Sequence, residues 1–340
     1  MIQEAIQQAL DRRDFTRGDA RAVMDEIMAG AATPAQIAGF LVALRAKGET
    51  ADEIAGCADS MRAHVVVVRP QRRDLVDTAG TGGDGRHTIN ISTAAALVAA
   101  AAGAGVAKHG NRAASSASGS ADVLEALGFN LELAPDRIAR SIDELGFGFM
   151  FAQAHHPAMR HAGPVRRELA TRTVFNILGP LTNPAGARTQ VIGVYSPELV
   201  RPIGEALVQL GSERAFVVHG AGGLDELSPL GPNAVCEVRN GKARDRTIDP
   251  LELGIARCEP DDLRGGSPAD NARLIRAVFD GEDGGRRDAI LLNAAGAIAA
   301  AGLAEDLGEG IELAREAVDS GGAAARLDEL IAFTREEVPA

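Results

Sequence analysis

The stretch Gly80-Thr81-Gly82-Gly83-Asp84 concentrates the residue types that bind anions, and its neighbours add to them. Asp77-Thr78-Ala79 precedes it, while Thr88 and Asn90-Ile91-Ser92-Thr93 lead into an alanine-rich run. A short apolar strand entering a glycine turn and then a helix start is expected here. Glycines let backbone N–H groups approach an anion closely, and the helix dipole favours negative charge at that end. Asn90, Ser92 and Thr93 supply donors or oxygens that could face a metal. The pattern is neither GxxxxGK[ST] nor GxGxxG. A strand-to-helix turn merely capped by its hydroxyls is the alternative without a ligand.

Three further segments extend this chemistry. Lys108-His109-Gly110-Asn111-Arg112-Ala113-Ala114-Ser115-Ser116, with Ser120 just after, places two permanent cations, an amide and several hydroxyls around a glycine. Such a set suits several phosphate oxygens. Asp225 and Glu226 follow an apolar strand and a glycine run, and adjacent carboxylates suit Mg²⁺, which bridges to substrate phosphates. His155-His156 leads to Arg166, Arg167 and Arg172. Neighbouring histidines on a helix do not project to one metal, so zinc is not expected; an arginine here could hold a carboxylate. Together these residues point to a metal-assisted enzyme acting on a phosphorylated substrate.

The elements that must position them fall into two regions. Residues 1–66 read as helices: Ile2, Ala5, Ile6 and Leu10 form one apolar stripe, Thr16 and Asp19 stand near a second start, Thr33-Pro34 opens a third helix, and Thr50 with Glu53 forms a capping box before a fourth. From residue 67 short apolar runs alternate with helical segments, at 75–78, 105–108, 148–151, 190–195, 215–219 and 289–292. That alternation predicts an α/β domain with a central, largely parallel sheet. Asn240-Gly241 between two extended runs predicts a tight hairpin. The fold expected is therefore α/β: a small, mainly N-terminal helical domain (1–66, joined by part of 155–185) and a larger α/β domain (67–340).

Composition narrows the classes. At 340 residues the chain can bury a sizeable core, and 46% apolar with 24% charged residues is ordinary for a globular protein. Aromatics reach only 3% and Trp is absent, so helices packed through small residues are expected. A formal charge of −12 opposes a sequence-independent nucleic-acid grip. Cys57, Cys236 and Cys258 lack paired metal-ligand spacing. No basic and apolar leader begins the sequence, and the alanine-rich run is too short to span a bilayer, so a cytoplasmic protein is expected.

The four segments, in this order, resemble the anthranilate phosphoribosyltransferase family of nucleoside phosphorylase-like transferases, across nearly the whole chain. The resemblance implies a pentosyltransferase of tryptophan biosynthesis that moves phosphoribose from phosphoribosyl pyrophosphate (PRPP) to the anthranilate amine and releases pyrophosphate. It implies a homodimer formed through the helical part and two Mg²⁺ ions per subunit, with no nucleic-acid or membrane partner. Gly80, Gly83, Asp84, Thr88, Asn90, Ile91, Ser92, Thr93, Lys108, His109, Gly110, Asn111, Arg112, Ala113, Ala114, Ser115, Ser116 and Ser120 would surround PRPP. Gly80, Asn111, Arg166, His109 and His156 would meet anthranilate, and Ser92, Asp225 and Glu226 would hold the metal. No residue is assigned as acid or base. Ala117 and Ala170 depart from the family pattern. The alternatives are a related pyrimidine nucleoside phosphorylase and a non-catalytic nucleic-acid-binding paralogue.

Overall fold

The computed structural model describes residues 1–113 and 117–336, so the expectations for Ala114, Ser115 and Ser116 lie outside the described residues. Four helices open the chain: α1 (Ile2–Leu10), α2 (Arg17–Met28), α3 (Pro34–Lys47) and α4 (Ala51–Ala63). The starts of α2, α3 and α4 are reciprocal capping boxes, Thr16 with Asp19, Thr33 with Gln36 and Thr50 with Glu53. Each cap satisfies helix-end donors and is worth about 1 kcal/mol. Glu53 does more than cap. It is fully buried, accepts the Phe15 amide at 2.9 Å, and pairs with Lys47 at 3.0 Å.

The apolar stripe of α1 differs from expectation at its end. Ile2, Ala5 and Ala9 are buried, whereas Leu10 is 62% exposed. In the last turn the buried face is carried by Ala9, and the Leu10 side chain points away from the other helices.

The larger part is built on a seven-stranded sheet in the order β3-β2-β1-β4-β5-β6-β7. Strands β1 (Leu75–Gly80), β2 (Gly105–Gly110), β3 (Phe147–Phe151), β4 (Thr189–Gly193) and β5 (Arg214–His219) pair in parallel; β6 (Asn233–Arg239) and β7 (Lys242–Ile248) close the edge antiparallel. Asn240 and Gly241, with φ 54° and 69°, make the hairpin turn between them. Both residues sit in the left-handed region that a type I′ turn requires.

The run at 289–292, expected as a strand, is helix. It lies inside Gly285–Ala300, where every residue from Ala289 to Ala300 is buried. A helix enclosed on all sides carries apolar residues all round, so its local run is indistinguishable from that of a buried strand. This helix and α5 (Ile91–Ala101) pack on one face of the sheet with Val76, Val106, Val191 and Val218. On the other face, α1–α4 share a core with Ala162, Val165, Val174, Phe175, Leu178 and Leu181 and with Ile192 and Val217 of the sheet. Small residues permit the close helix contacts: a β-carbon on Gly310 would stand 2.8 Å from the Ala295 carbonyl oxygen.

Candidate active site

Strands β1, β2, β4 and β5 end at one edge, where parallel sheets present loops to ligands. The loop after β1 and the loop after β5 meet there. A β-carbon on Gly193 would overlap the main chain of Asp225, and one on Gly80 would overlap its carboxylate. Glycine at these two strand ends is what admits the acidic loop. The Gly82 amide donates to Asp225 Oδ2 at 2.7 Å. In this structure, then, the glycine turn cradles a carboxylate of its own chain. Gly82 and Gly83, at φ 68° and 79°, turn the backbone so that this is possible.

Glu226 sits beside Asp225 and accepts the Ser92 amide, in the first turn of α5, at 3.2 Å. Burial pushes both carboxyls up, Asp225 to about 7 and Glu226 to about 8. Asp84 adds to the first shift and Asp225 to the second, while Lys108 opposes the second. A nearby cation would favour the charged form of such crowded carboxylates. Among the described residues no three His, Cys, Asp or Glu side chains form a ready metal cage. The donor set nevertheless fits a hard cation such as Mg²⁺, which takes one or two carboxylates and draws its other oxygens from water and phosphate.

Lys108 is placed differently from a loop cation. It is a residue of β2, 1% exposed, and its ammonium donates to the Thr78 carbonyl and to Thr78 Oγ1. Burial lowers its pKa, while Asp77 and Glu226 counter that. Asp77, pushed up to about 6 by burial, accepts the His109 amide at 3.1 Å and Asn183 Nδ2 at 2.8 Å. Lys108 therefore bonds to β1 and lends the buried Glu226 positive charge through space from within the sheet.

Its neighbour His109 is bound on a different set of partners. Nδ1 faces the Gly179 carbonyl at 3.1 Å, which can only accept, and Nε2 faces His156 Nε2 at 3.2 Å. Burial, then the neighbouring histidine, drives His109 down to about 3; burial also leads the fall of His156 to about 4. Burial favours the neutral form of both rings, whose Nε2 atoms face each other.

Of the second loop, Arg112 and Ala113 are held against α6 (Ser120–Leu127). Arg112 pairs with Asp122 at 3.0 Å and with Glu125 at 2.8 Å, so its charge is engaged there. Asp122 also accepts the amides of Ala113 and Gly119, each at 2.9 Å. The Ser120 hydroxyl donates to the Asn111 carbonyl, and a β-carbon on Gly110 would overlap Ser120 Oγ. Asn90 is the N-cap residue of α5, but its side chain does not cap the helix. Its amide bridges to Ser118 O at 3.0 Å, and its Oδ1 accepts from Asn271 at 2.8 Å. Ile91 is buried with its amide donating to Ile89 O, the buried Thr93 hydroxyl has no partner among the described residues, and Thr88 makes an isolated bridge with Arg264.

Arg166 stands on the helix Gly163–Leu169 with its guanidinium over the Phe175 ring, 5.3 Å from the centroid. It has no carboxylate partner among the described residues, and burial lowers its pKa. A half-buried, unpaired guanidinium beside an aromatic ring is suited to a planar aromatic carboxylate. Phe175 and Gly179 belong to one short segment, so Arg166 and the His109–His156 pair lean on the same stretch of chain. Two amides that hold the site were not apparent in the sequence. Asn271 ties the segment after Leu263 to Asn90, and Asn293 grips Leu227 through both its amide (2.9 Å) and its carbonyl (2.7 Å). Only the Ser267–Asp270 capping box marks the first locally, and nothing local marks the second.

Residues 3–65 match the glycosyl transferase family helical bundle domain, and residues 72–324 match its a/b domain. The anthranilate phosphoribosyltransferase of Anaeromyxobacter sp. (strain Fw109-5) is 55% identical, over 98% of this chain and 99% of its own. The crystal structure of the anthranilate phosphoribosyltransferase from Thermus thermophilus superposes with a TM-score of 0.93 at 50% identity, covering 98% of this chain and 99% of that one. The Saccharomyces cerevisiae anthranilate phosphoribosyltransferase, solved in complex with PRPP and Mg, is 28% identical with a TM-score of 0.87, covering 98% and 97%; it has also been solved in complex with 4-fluoroanthranilate.

Proposed function

The chain belongs to the glycosyl transferase family and, within it, to the anthranilate phosphoribosyltransferases, and from that premise we propose that it transfers phosphoribose from PRPP to the amine of anthranilate with release of pyrophosphate. The observation that carries this reading is the insertion of Asp225 and Glu226 against Gly80, Gly82 and the start of α5. That contact supports a reading in which the two carboxylates hold the metal beside the turn that takes the phosphates.

In this reading Asp225, Glu226 and Ser92 would hold Mg²⁺, two ions per subunit, which would supply positive charge for the departing pyrophosphate. The glycine turn and the first turn of α5 orient the diphosphate, and Lys108 keeps Glu226 in place from behind. Arg166 pairs with the anthranilate carboxylate and, with Asn111, turns the amine toward C1. The aromatic amine carries its own lone pair. It attacks C1 as the C1–O bond to pyrophosphate breaks, and its surplus proton passes to solvent. Neutral His109 and His156 line the acceptor side without competing for the carboxylate.

Residues 1–66, joined by part of 155–185, form the helical domain in this proposal, and 67–340 the PRPP-binding domain. The molecule is a cytoplasmic homodimer paired through its helical part. The exposed Leu10 and Val42 of α1 and α3 support that pairing, and no described helix is long and apolar enough to cross a membrane. The test is pyrophosphate release from PRPP and Mg²⁺ with anthranilate, other aromatic amines and free bases. Anthranilate-dependent release is expected. Phosphorolysis of a pyrimidine nucleoside without it would favour the phosphorylase alternative.

A further inference from the structure

The glycine turn is also held from outside, by an arginine. Arg172 lies in the link between the helices Gly163–Leu169 and Phe175–Leu178. Its guanidinium donates to the Gly83 carbonyl and stacks on the Tyr195 ring, 3.9 Å from the centroid. A β-carbon on Gly83 would stand 3.2 Å from the guanidinium, so the bare turn is what lets the arginine settle against it. Tyr195 is tied to the same turn, its amide donating to Thr81 Oγ1 at 3.1 Å, and Thr81 in turn donates its amide to Gly193 at 2.8 Å. On its outer side the Tyr195 hydroxyl receives Arg45 of α3 at 3.4 Å. One arginine–aromatic stack thus joins the donor-binding turn, the segment that carries the acceptor arginine and the helical unit.

We infer that Arg172 and Tyr195 are positioning residues for the donor: a guanidinium clamp on the Gly83 carbonyl that holds the glycine turn in shape for a phosphorylated sugar diphosphate. The inference rests on the PRPP reading of that turn. The Arg172 guanidinium is planar, so it can stack and donate at once; a lysine ammonium keeps the charge and can donate but has no planar face to stack. The clamp's hydrogen bond is to the donor turn, so its loss is read in the KM for PRPP.

Tyr195 is the only tyrosine in a chain without tryptophan, so its emission reports the clamp directly. The experiment combines Mg·PRPP titrations of that emission with steady-state kinetics of wild type, R172A, R172K and Y195F. Wild-type emission should change saturably with PRPP in the absence of anthranilate. R172A should raise the KM for PRPP about tenfold, the loss of one charge-assisted hydrogen bond, with the anthranilate KM moved less than about twofold. R172K should fall between, and Y195F should lose the emission, which assigns the signal to Tyr195. Equal PRPP KM in wild type and R172A, or flat emission in a wild type that turns over, would overturn the clamp. Saturable emission without anthranilate turnover would uphold the clamp and remove the acceptor assignment instead.

Discussion

The Gly82 amide donates to Asp225 Oδ2 across 2.7 Å, joining two loops 143 residues apart. The contact exists only because Gly80 and Gly193 carry no side chain where the acidic loop passes. Gly80→Ala should therefore displace the Asp225 carboxylate. The expected outcome is a Mg²⁺ requirement raised about tenfold or more, with a stability loss of about 1–3 kcal/mol from overpacking. Metal titration of turnover and thermal unfolding check the two parts.

Arg166 presents a guanidinium with no counter-charge among the described residues. Arg166→Ala should raise the KM for anthranilate by at least about tenfold, matching the roughly 1.5–3 kcal/mol of a hydrogen bond to a charged group. The KM for PRPP should hardly move. Equal effects on both substrates in steady-state kinetics would remove Arg166 from the acceptor side.

The histidine pair sets a pH dependence with a definite sign. Both imidazoles titrate well below their ordinary value, His109 down to about 3 and His156 to about 4, chiefly through burial. Unfolded chains bind these protons near pH 6.5, so between that value and about 4 the unfolded state holds more protons. The pair's contribution to stability is complete above about pH 6.5 and is lost as the pH falls. Asp225 and Glu226, raised by burial, slope the other way, so the comparison must be between variants. Unfolding of wild type and His156→Asn from about pH 7 to 4 should show the wild type losing more stability. Parallel curves would contradict it.

Asn293 holds Leu227 at both amide and carbonyl, directly after Glu226. Asn293→Ala leaves a buried N–H without a partner, at a cost of about 1–3 kcal/mol. Denaturant unfolding should show that loss, and the Mg²⁺ titration should shift because the acidic loop loses its anchor.

What could be read from the chain was whatever is encoded locally. Thr50 and Glu53 cap α4, Asn240-Gly241 turns the hairpin, and the glycine turn runs from strand to helix because these motifs span only a few residues. The remainder depends on distant partners. Asn271 finds Asn90 across 181 positions and Asn183 finds Asp77 across 106, and neither amide looks special beside its neighbours. Gly193 reads as the end of a strand until Asp225 is seen against it. Lys108 and Arg112 carry the charge expected of a phosphate loop. The strand buries the first, and Asp122 with Glu125 engages the second, because burial and ion pairing are properties of the fold.

The most direct test of the paired carboxylates is pyrophosphate release from PRPP and anthranilate as Mg²⁺ is titrated into wild type and the Asp225→Asn, Glu226→Gln double variant. These substitutions preserve shape and remove the charge, exchanging one acceptor oxygen for an NH2 donor in each. Saturable Mg²⁺-dependent release in wild type, with loss of that dependence and of turnover in the folded double variant, is the expected result. An unaltered metal titration would contradict a metal site at Asp225 and Glu226.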